Sequence, residues 1–497
     1  MEVLIIFAFT IALYIRTIYY SVIVDDIKIY TGRMNYKRIW DKRRPNPAPK
    51  TFKNMIREFF IELRSRTYGG GTFGPFRDKR RPGAPLSICT WFDHILCIYT
   101  TACIGALIYM VFGYNNISFM ASLLYVANPA NHQVSMWLNG RRYALSVIFV
   151  LLMMLYKPFG IVFYFCSFFW GHALTFFAPV LYLDVAPWLP LMIIPAYLWK
   201  RKTLHLKMKS RMNRVLCEDQ RKFTPRRFII IAKSFGFYFF NMLFPIRILI
   251  NYPNLYWWGI TKKKNEECYA INLEFWKGFL ALGISAFLVG FLPGYLRIMW
   301  IFTMLSILQW SAVVSAVQIN ADRYMAVPIV FMMFFLSMFI STLPFSTYIY
   351  VGLLIYYVTQ LHTGMIIYKS IDWYQRYQMF YAPHIAKPRF NRIDFYFKNG
   401  RYLTAWYLIE EGLQEMPNDF LLLYQAGVAL SKIGNMVDAI KFIDMAEQNT
   451  YLGQHNEQKM VLDALRTEIN NKRIDIERKK RQEIKEANRG GGKKKRR

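Results

Sequence analysis

The stretch from Met325 to Leu361 reads MAVPIVFMMFFLSMFISTLPFSTYIYVGLLIYYVTQL and contains no charged residue. An α-helix needs about 20 predominantly apolar residues to cross the hydrocarbon core of a bilayer. Two helices at 325–341 and 345–361, joined by a short turn, come close to that length. We therefore predict two consecutive membrane spans in this stretch.

Similar apolar runs occupy most of residues 1–362. The first run, 3–24, contains one charge, Arg16, and lacks the basic start and the cleavage site of a secretory signal, so we interpret it as a retained helix. The sequence thus predicts an all-α fold built on a polytopic membrane helix bundle of about 11 spans. The other predicted spans are 86–113, 117–130, 142–157, 159–178, 180–199, 228–250, 275–294 and 296–316.

Composition excludes several classes of protein. The 497 residues are 55% hydrophobic and 19% charged, whereas soluble domains contain about 25% charged residues. Six cysteines, mostly inside apolar runs, predict buried thiols rather than a disulfide framework. No Cys/His spacing indicates zinc, and we expect neither a metal nor a cofactor. Because most of the charge of +32 flanks apolar runs, we expect anionic lipid rather than nucleic acid as its partner.

The basic loops set the predicted topology. Residues 200–227 contain eleven Lys and Arg against two acids, so we expect a cytoplasmic loop there. Counting six spans backwards places the N-terminus in the cytoplasm and residues 25–26 on the far side. Counting five spans forwards places everything after residue 361 on that far side too. The 27–87 loop then lies outside, although it holds sixteen basic residues against four acids.

A repeat indicates a second domain. Residues 400–408 read GRYLTAWYL, and the pattern of glycine, alanine and apolar positions recurs in GNMVDAIKF at 434–442. The period of 34 residues is typical of tetratricopeptide helical hairpins. Two repeats are fewer than the three usually needed, so we expect support from an irregular hairpin, at 366–388 or 455–485, or from the membrane domain. The predicted domains are a 1–362 membrane domain, a 363–389 linker helix, 390–477 repeats and a basic, disordered 478–497 tail.

Two pairs of ionisable residues are candidate reactive groups. Asp25-Asp26 follows the first span directly and suits a general base, or it caps the helix end at the interface. Asp93-His94 lies inside the second apolar run, where ionisable groups usually face the bundle interior. Asp93-His94 therefore either has a functional role or forms a hydrogen bond that fixes helix packing.

Cations near the ends of spans are candidate binding groups. Arg247 and Arg323 are each embedded among apolar residues and suit a lipid phosphate, with snorkelling to the headgroups as the alternative. His132 and Arg141 belong to a short polar hairpin between two spans. A lone histidine in a loop is more often a hydrogen-bonding residue than a ligand.

The order of these motifs resembles that of a known family. Asp25-Asp26 follows the first helix, PLSICTWFD opens the second at 85–93, Pro129 precedes Gly140-Arg141 by eleven residues, FPIR ends a later span at 244–247, and ADRYMAVP opens another at 321–328. The repeats follow. Residues 1–450 thus resemble the transmembrane and tetratricopeptide repeat-containing glycosyltransferases, whose fold is of the GT-C type.

The resemblance implies an enzyme that transfers a sugar from a polyprenyl-phosphate carrier to a hydroxyl acceptor on the lumenal or outer side. It implies that Asp25 or Asp26 is the catalytic base and that a lipid-linked donor needs no metal. It further implies a protein acceptor or partner at the repeats. Localisation would be multi-pass, in the endoplasmic reticulum of a eukaryote or the inner membrane of a bacterium. Donor phosphate would bind Arg247, Arg323 and Arg141, with Asp93, His94, His132 and Asp322 in supporting positions.

Departures from the family pattern leave two other functions open. The usual His-Pro-x-His-x-Glu hairpin reads NPANHQ at 128–133, Ala84 stands for an arginine, Tyr143 for an aspartate and Trp170-Gly171 for a Lys-Glu pair. On this resemblance, the chain is either an active glycosyltransferase or a degenerate, inactive member of the family. The alternatives are a membrane scaffold that presents its repeats to a protein partner, and a transporter or flippase of a lipid-linked anion.

Overall fold

The structure is a computed structural model. In the part of the chain that it describes, the backbone forms helices and turns and contains no strand, which confirms the predicted all-α class there. The described residues divide into two compact units, an N-terminal unit up to Tyr377 and a C-terminal unit from Gln378. They comprise 1–19, 88–136, 140–170, 175–198, 226–245, 269–313, 322–369, 371–381, 386–450 and 455–493.

The N-terminal unit contains helices α1 to α11 and the first part of α12. Shorter 3₁₀ turns connect several of them, among them Pro129–Asn131, Asp322–Met325 and Ile366–Tyr368. The helices are α1 (Glu2–Tyr14), α2 (Ile88–Val111), α3 (Asn116–Ala127), α4 (His132–Ser135), α5 (Arg141–Leu155), α6 (Gly160–Trp170), α7 (Arg227–Leu243), α8 (Leu273–Phe291), α9 (Gly294–Leu308), α10 (Pro328–Ser341), α11 (Ser346–Met365) and α12 (Ile371–Tyr381).

Local signals start two of these helices. Asn115 caps α3: its side chain accepts from the Ser118 backbone N–H, and the Ser118 hydroxyl accepts from the Asn115 N–H. This reciprocal pair satisfies backbone donors that have no partner inside the helix. Pro328 occupies the first turn of α10, where a missing N–H costs nothing.

Helices α7 and α8 cross at two glycines. A Cβ added to Gly236 would lie 2.6 Å from the Gly278 Cα, and a Cβ added to Gly278 would lie 1.9 Å from the Ala232 carbonyl oxygen. The two backbones are therefore in direct contact at the crossing. Small residues that allow such close approach are typical of helix pairs in membranes.

Two helical segments among the described residues are long and apolar enough to cross a membrane, as judged by length and composition. They are His94–Val111 and Leu273–Phe291. The prediction of one continuous span at 180–199 was wrong, because a 3₁₀ turn ends at Tyr182 and a separate short helix begins at Leu189 and ends at Leu198. Pro187 and Pro190 interrupt that run, since proline lacks a backbone donor and clashes with the preceding turn.

The C-terminal unit is a stack of helices that contains two antiparallel hairpins. Its helices are α13 (Ala386–Lys398), α14 (Tyr402–Glu415), α15 (Phe420–Ile433), α16 (Met436–Gln448) and α17 (His455–Lys493). Gly400 and Gly434, the two glycines of the 34-residue repeat, have positive φ of 68° and 101°. Each follows a helix at the position where a left-handed residue ends it, which glycine adopts without strain.

Flanking helices complete the core of the hairpins. Ile393 of α13 packs with Ala405 and Ile409 of α14, while Leu462 and Ile469 of α17 pack in the cluster around α15 and α16. One of the sequence-based alternatives was support by an irregular hairpin at 455–485; the structure has the single helix α17 over that range instead.

Two predictions about the ends of this unit differ from the structure. The 363–389 linker is not one helix, because α11 ends at Met365 and a 3₁₀ turn follows at Ile366–Tyr368. Residues 478–493, predicted to be disordered, continue α17. Glu, Lys and Arg favour helix, and pairs one turn apart, such as Lys472 with Glu468, add support.

Candidate functional site

A buried polar cluster in the N-terminal unit is centred on His132. Its Nε2 lies 2.6 Å from Asp322 Oδ2, and its Nδ1 lies 2.6 Å from the Tyr368 hydroxyl. The other carboxylate oxygen of Asp322 accepts from Asn241 Nδ2 at 3.1 Å. The side chains of His132 and Asp322 are completely buried. Three distant parts of the sequence therefore meet at one imidazole.

The hairpin that carries His132 is fixed by its own polar residues. The Asn128 side chain accepts from the Ala130 N–H and donates to the Met242 carbonyl at 2.8 Å. The Tyr357 hydroxyl donates to the neighbouring Leu243 carbonyl at 2.7 Å. These bonds also satisfy carbonyl groups at the C-terminal end of α7, which have no partner within the helix.

Arg323 lies next to the same hairpin. Its guanidinium donates to Gln133 Oε1 at 3.2 Å and sits 4.9 Å from the centre of the Tyr324 ring. The Tyr324 ring stacks on Trp310 at a centroid distance of 4.2 Å. A planar cation held against an aromatic face presents a fork suited to carboxylate or phosphate oxygens.

The first turn of α5 packs closely on the hairpin. A Cβ on Gly140 would lie 2.1 Å from the Gln133 carbonyl oxygen, so the backbones touch at this point. Arg141 follows directly and is 6% exposed. Helix α4 contacts both α5 and the turn Asp322–Met325. The hairpin therefore connects the element that carries Arg141 with the one that carries Arg323.

The hydrogen bonds define what the His132 imidazole can do. A neutral ring with its proton on Nε2 donates to Asp322 and accepts from the Tyr368 hydroxyl, which satisfies all three groups. With both nitrogens engaged, the imidazole has no site left for a substrate proton. Its chemistry here is to hold Asp322 and the adjacent Arg323 in place.

The structure brings together four of the predicted site residues and separates or omits the others. His132 and Asp322 bond directly, and Arg323 and Arg141 flank their hairpin. His94 is buried on α2. Asp93 belongs to the same helix, but its side chain lies outside the described residues, as do Asp25, Asp26 and Arg247.

Sequence reasoning missed Tyr368 and Asn241 as members of the cluster. Nothing in their local pattern distinguishes them from other polar residues at the ends of apolar runs. It also missed Lys233, a buried cation in the middle of α7. Sequence reasoning could have found Lys233, because a lone charge within an apolar run is a functional candidate.

Among the residues that the structure describes, no group of three or more His, Cys, Asp or Glu side chains could hold a metal ion. The cluster instead combines one acid, one imidazole, amides and arginine. Such a set favours binding of an anion and hydrogen-bonded positioning.

Comparison with known proteins gives no match: no protein-family model, curated protein or solved structure is significantly similar to this chain. The function is therefore argued from the chain's own residues and contacts.

Proposed function

We propose that this chain is a multi-pass integral membrane glycosyltransferase of the GT-C type. It transfers a sugar from a polyprenyl-phosphate carrier to a hydroxyl acceptor. The observation that supports this most is the bond between His132 and Asp322. It joins the two most specific parts of the resemblance, the hairpin from Pro129 to Arg141 and the Asp322-Arg323-Tyr324 string.

Surface composition supports a bilayer as the surrounding medium. On α8, Trp276, Phe279, Phe287 and Phe291 are each more than half exposed, and Phe291 is 76% exposed. A contiguous apolar surface of this kind is uncommon on soluble monomers. The exposed apolar surface of α8 and the other apolar runs of the sequence support the proposal of about 11 membrane spans.

The cations of the site suit the carrier phosphate. Arg323 donates to Gln133 of the hairpin, and Arg141 follows Gly140, whose backbone touches the same hairpin, so the two cations belong to one neighbourhood. The Gln133 oxygen that Arg323 contacts belongs to a neutral amide. Charge that develops on the departing phosphate would be stabilised by these groups.

Asp25 or Asp26 supplies the base in this proposal. The carboxylate takes the proton of the acceptor hydroxyl while the acceptor oxygen forms a bond to the anomeric carbon of the sugar. The bond from that carbon to the phosphate oxygen breaks, and the carrier phosphate leaves with the electron pair. No redox partner is required.

Transfer by the purified full-length protein tests the proposal. The protein in nanodiscs is given a labelled polyprenyl-phosphate sugar and serine- and threonine-containing peptides. Asp25→Asn and Asp26→Asn, singly and together, should reduce transfer by about 10²–10⁴-fold. Asp184→Asn, an exposed aspartate of the same unit, is the control. Full transfer activity in the double variant would exclude Asp25 and Asp26 as the catalytic base.

A separate variant tests the phosphate site. Arg323→Gln removes the guanidinium that donates to Gln133 Oε1 at 3.2 Å. The carrier phosphate loses that cation, so donor-lipid binding should weaken. Equal donor binding in this variant and in the wild type would contradict the assignment of Arg323.

One observation favours a scaffold as the second candidate function. The carboxylate that the family carries in the hairpin is the amide of Gln133 here, and an amide cannot act as a general acid or base at neutral pH. A scaffold would bind a protein partner through the C-terminal unit without transferring sugar. Donor binding without transfer in the assay above would support this function.

A further inference from the structure

Helix α17 extends well beyond the packed part of the C-terminal unit. Ile469 is its last core residue, and all side chains from Arg473 to Glu486 are exposed. At a rise of about 1.5 Å per residue, the helix from Ile469 to Lys493 is roughly 36 Å long. This segment is here called the basic arm.

The charge of the basic arm is strongly positive. From Lys472 to Lys493 the sequence holds nine Lys and Arg and four Asp and Glu, and four further basic residues follow at 494–497. Two of the acids are paired on the first turns of the arm, Glu477 with Arg473 at 3.1 Å and Asp475 with Arg478 at 3.9 Å. Exposed pairs of this kind are weak, so they leave most of the arm's positive potential in place.

Four of these cations share one face of the helix. Arg478, Arg481, Lys485 and Arg489 are separated by three, four and four residues. At 100° per residue they fall within an arc of about 80° and extend over roughly 16 Å. Lys479 and Lys480 occupy other positions around the helix. The four residues are called the basic stripe.

The arm has no apolar face that would insert into a bilayer. Its exposed isoleucines, Ile474, Ile476 and Ile484, lie at different positions around the helix rather than in one row. Recognition by this surface is therefore electrostatic. A partner must present negative charge repeatedly along a length comparable to that of the stripe.

The observations favour a lipid surface over nucleic acid. No Phe, Tyr or Trp follows Tyr451, so the arm lacks the rings on which bases stack. The same chain carries two helical segments long and apolar enough to span a membrane. A segment tethered to a membrane protein meets headgroups at high effective concentration. We propose that the basic stripe of α17 binds the anionic headgroups of a phospholipid membrane.

This inference is independent of the proposed transferase activity. It concerns a surface made by exposed residues of the C-terminal unit, and none of the proposed site residues belongs to it. Each Lys or Arg near an anionic surface strengthens binding by about fivefold, and the attraction decays within a Debye length.

The experiment uses the full-length protein in neutral phosphatidylcholine nanodiscs. Its binding to added vesicles is measured by flotation, with vesicles of phosphatidylcholine alone or mixed equally with phosphatidylglycerol. The wild type should bind the anionic vesicles and lose that binding as the salt concentration is raised. It should not bind the neutral vesicles. Arg481→Gln combined with Lys485→Gln should weaken binding by roughly 30-fold.

A matched double variant separates the stripe from total charge. Lys479→Gln combined with Lys480→Gln removes the same charge from the same exposed turns, and glutamine keeps the helical propensity. It should weaken binding only a few-fold. An equal loss of vesicle binding in the two double variants would overturn the proposal that the basic stripe binds lipid. Equal binding of the wild type to neutral and anionic vesicles would overturn it too. Stripe-dependent binding of duplex RNA without vesicle binding would overturn the lipid assignment in favour of nucleic acid.

Discussion

His132 and Asp322 are 190 residues apart in the sequence, and their side chains are joined by a buried hydrogen bond of 2.6 Å. The bond connects the hairpin after α3 with the turn before α10. Because both groups are removed from water, each depends on the other for its hydrogen bonding. The pair therefore fixes the position of two segments that carry the candidate phosphate-binding arginines.

Removing the charge of this carboxylate should destabilise the fold. In Asp322→Asn, an amide nitrogen or a weaker acceptor faces the imidazole, so the free energy of unfolding should fall by about 1–3 kcal/mol. Thermal unfolding of the purified protein in detergent measures the change. Asp184→Asn, an exposed aspartate of the same unit, should stay within about 0.5 kcal/mol of the wild type. An unaltered melting temperature in Asp322→Asn would show that the pair contributes little.

The glycine crossing of α7 and α8 gives a second prediction. Gly278→Ala places a methyl group 1.9 Å from the Ala232 carbonyl oxygen, so the helices must separate, at a cost of about 1–3 kcal/mol or more. Gly283→Ala, on the same helix, meets nothing within 4 Å and should be neutral or stabilising by up to about 1 kcal/mol. Unfolding of both variants in detergent distinguishes these results, and equal stability would contradict the close crossing.

The cluster around His132 shows where sequence reasoning reaches its limit. His132 and Arg323 were selected because polar and charged residues stand out beside apolar runs, and Asp322 was selected through the resemblance of the ADRYMAVP motif at 321–328. Their pairing could not be predicted, since no periodicity encodes a contact across 190 residues. Tyr368 was missed for the same reason.

The repeats were more predictable because their geometry is local. The spacing of Gly400 and Gly434 predicted equivalent positions in two hairpins, and both glycines adopt the left-handed backbone that ends a helix. The broken 180–199 run was also predictable in principle, because Pro187 and Pro190 are helix-breaking residues. Hydropathy alone conceals such breaks.

Acid should loosen the contact between α16 and α17. Arg466 donates to Asp444 at 2.6 Å and to Glu447 at 2.9 Å, and this hydrogen bond lowers the pKa of the Glu447 carboxyl below its ordinary value. A lowered folded-state pKa means that the unfolded chain binds the proton first as pH falls. The stabilisation is therefore complete above about pH 4.5 and is lost as pH drops through the folded pKa.

Hydrogen exchange of α16 and α17 in the full-length protein, corrected for intrinsic rates, measures this effect. Protection should decrease between about pH 5 and pH 3 in the wild type and change less with pH in Arg466→Gln. Arg473→Gln is the matched control, because its partner Glu477 lies on the same helix and joins no second element. The same pH dependence in all three proteins would exclude Arg466 as its cause.

The last prediction concerns a groove between α15 and α17. If the C-terminal unit holds the acceptor, an apolar side chain of the acceptor should occupy this groove, which is lined by Tyr424, Met460, Val461, Ala464, Leu465 and Glu468. Met460 is 73% exposed, so Met460→Glu should leave the fold intact. Loss of an anchoring contact that contributes about 1.4 kcal/mol would raise KM for the acceptor by about tenfold. Donor-lipid binding should not change. Val437→Glu, at an exposed residue outside the groove, is the control, and an equal rise in KM there, or none in Met460→Glu, would exclude the groove as the acceptor site.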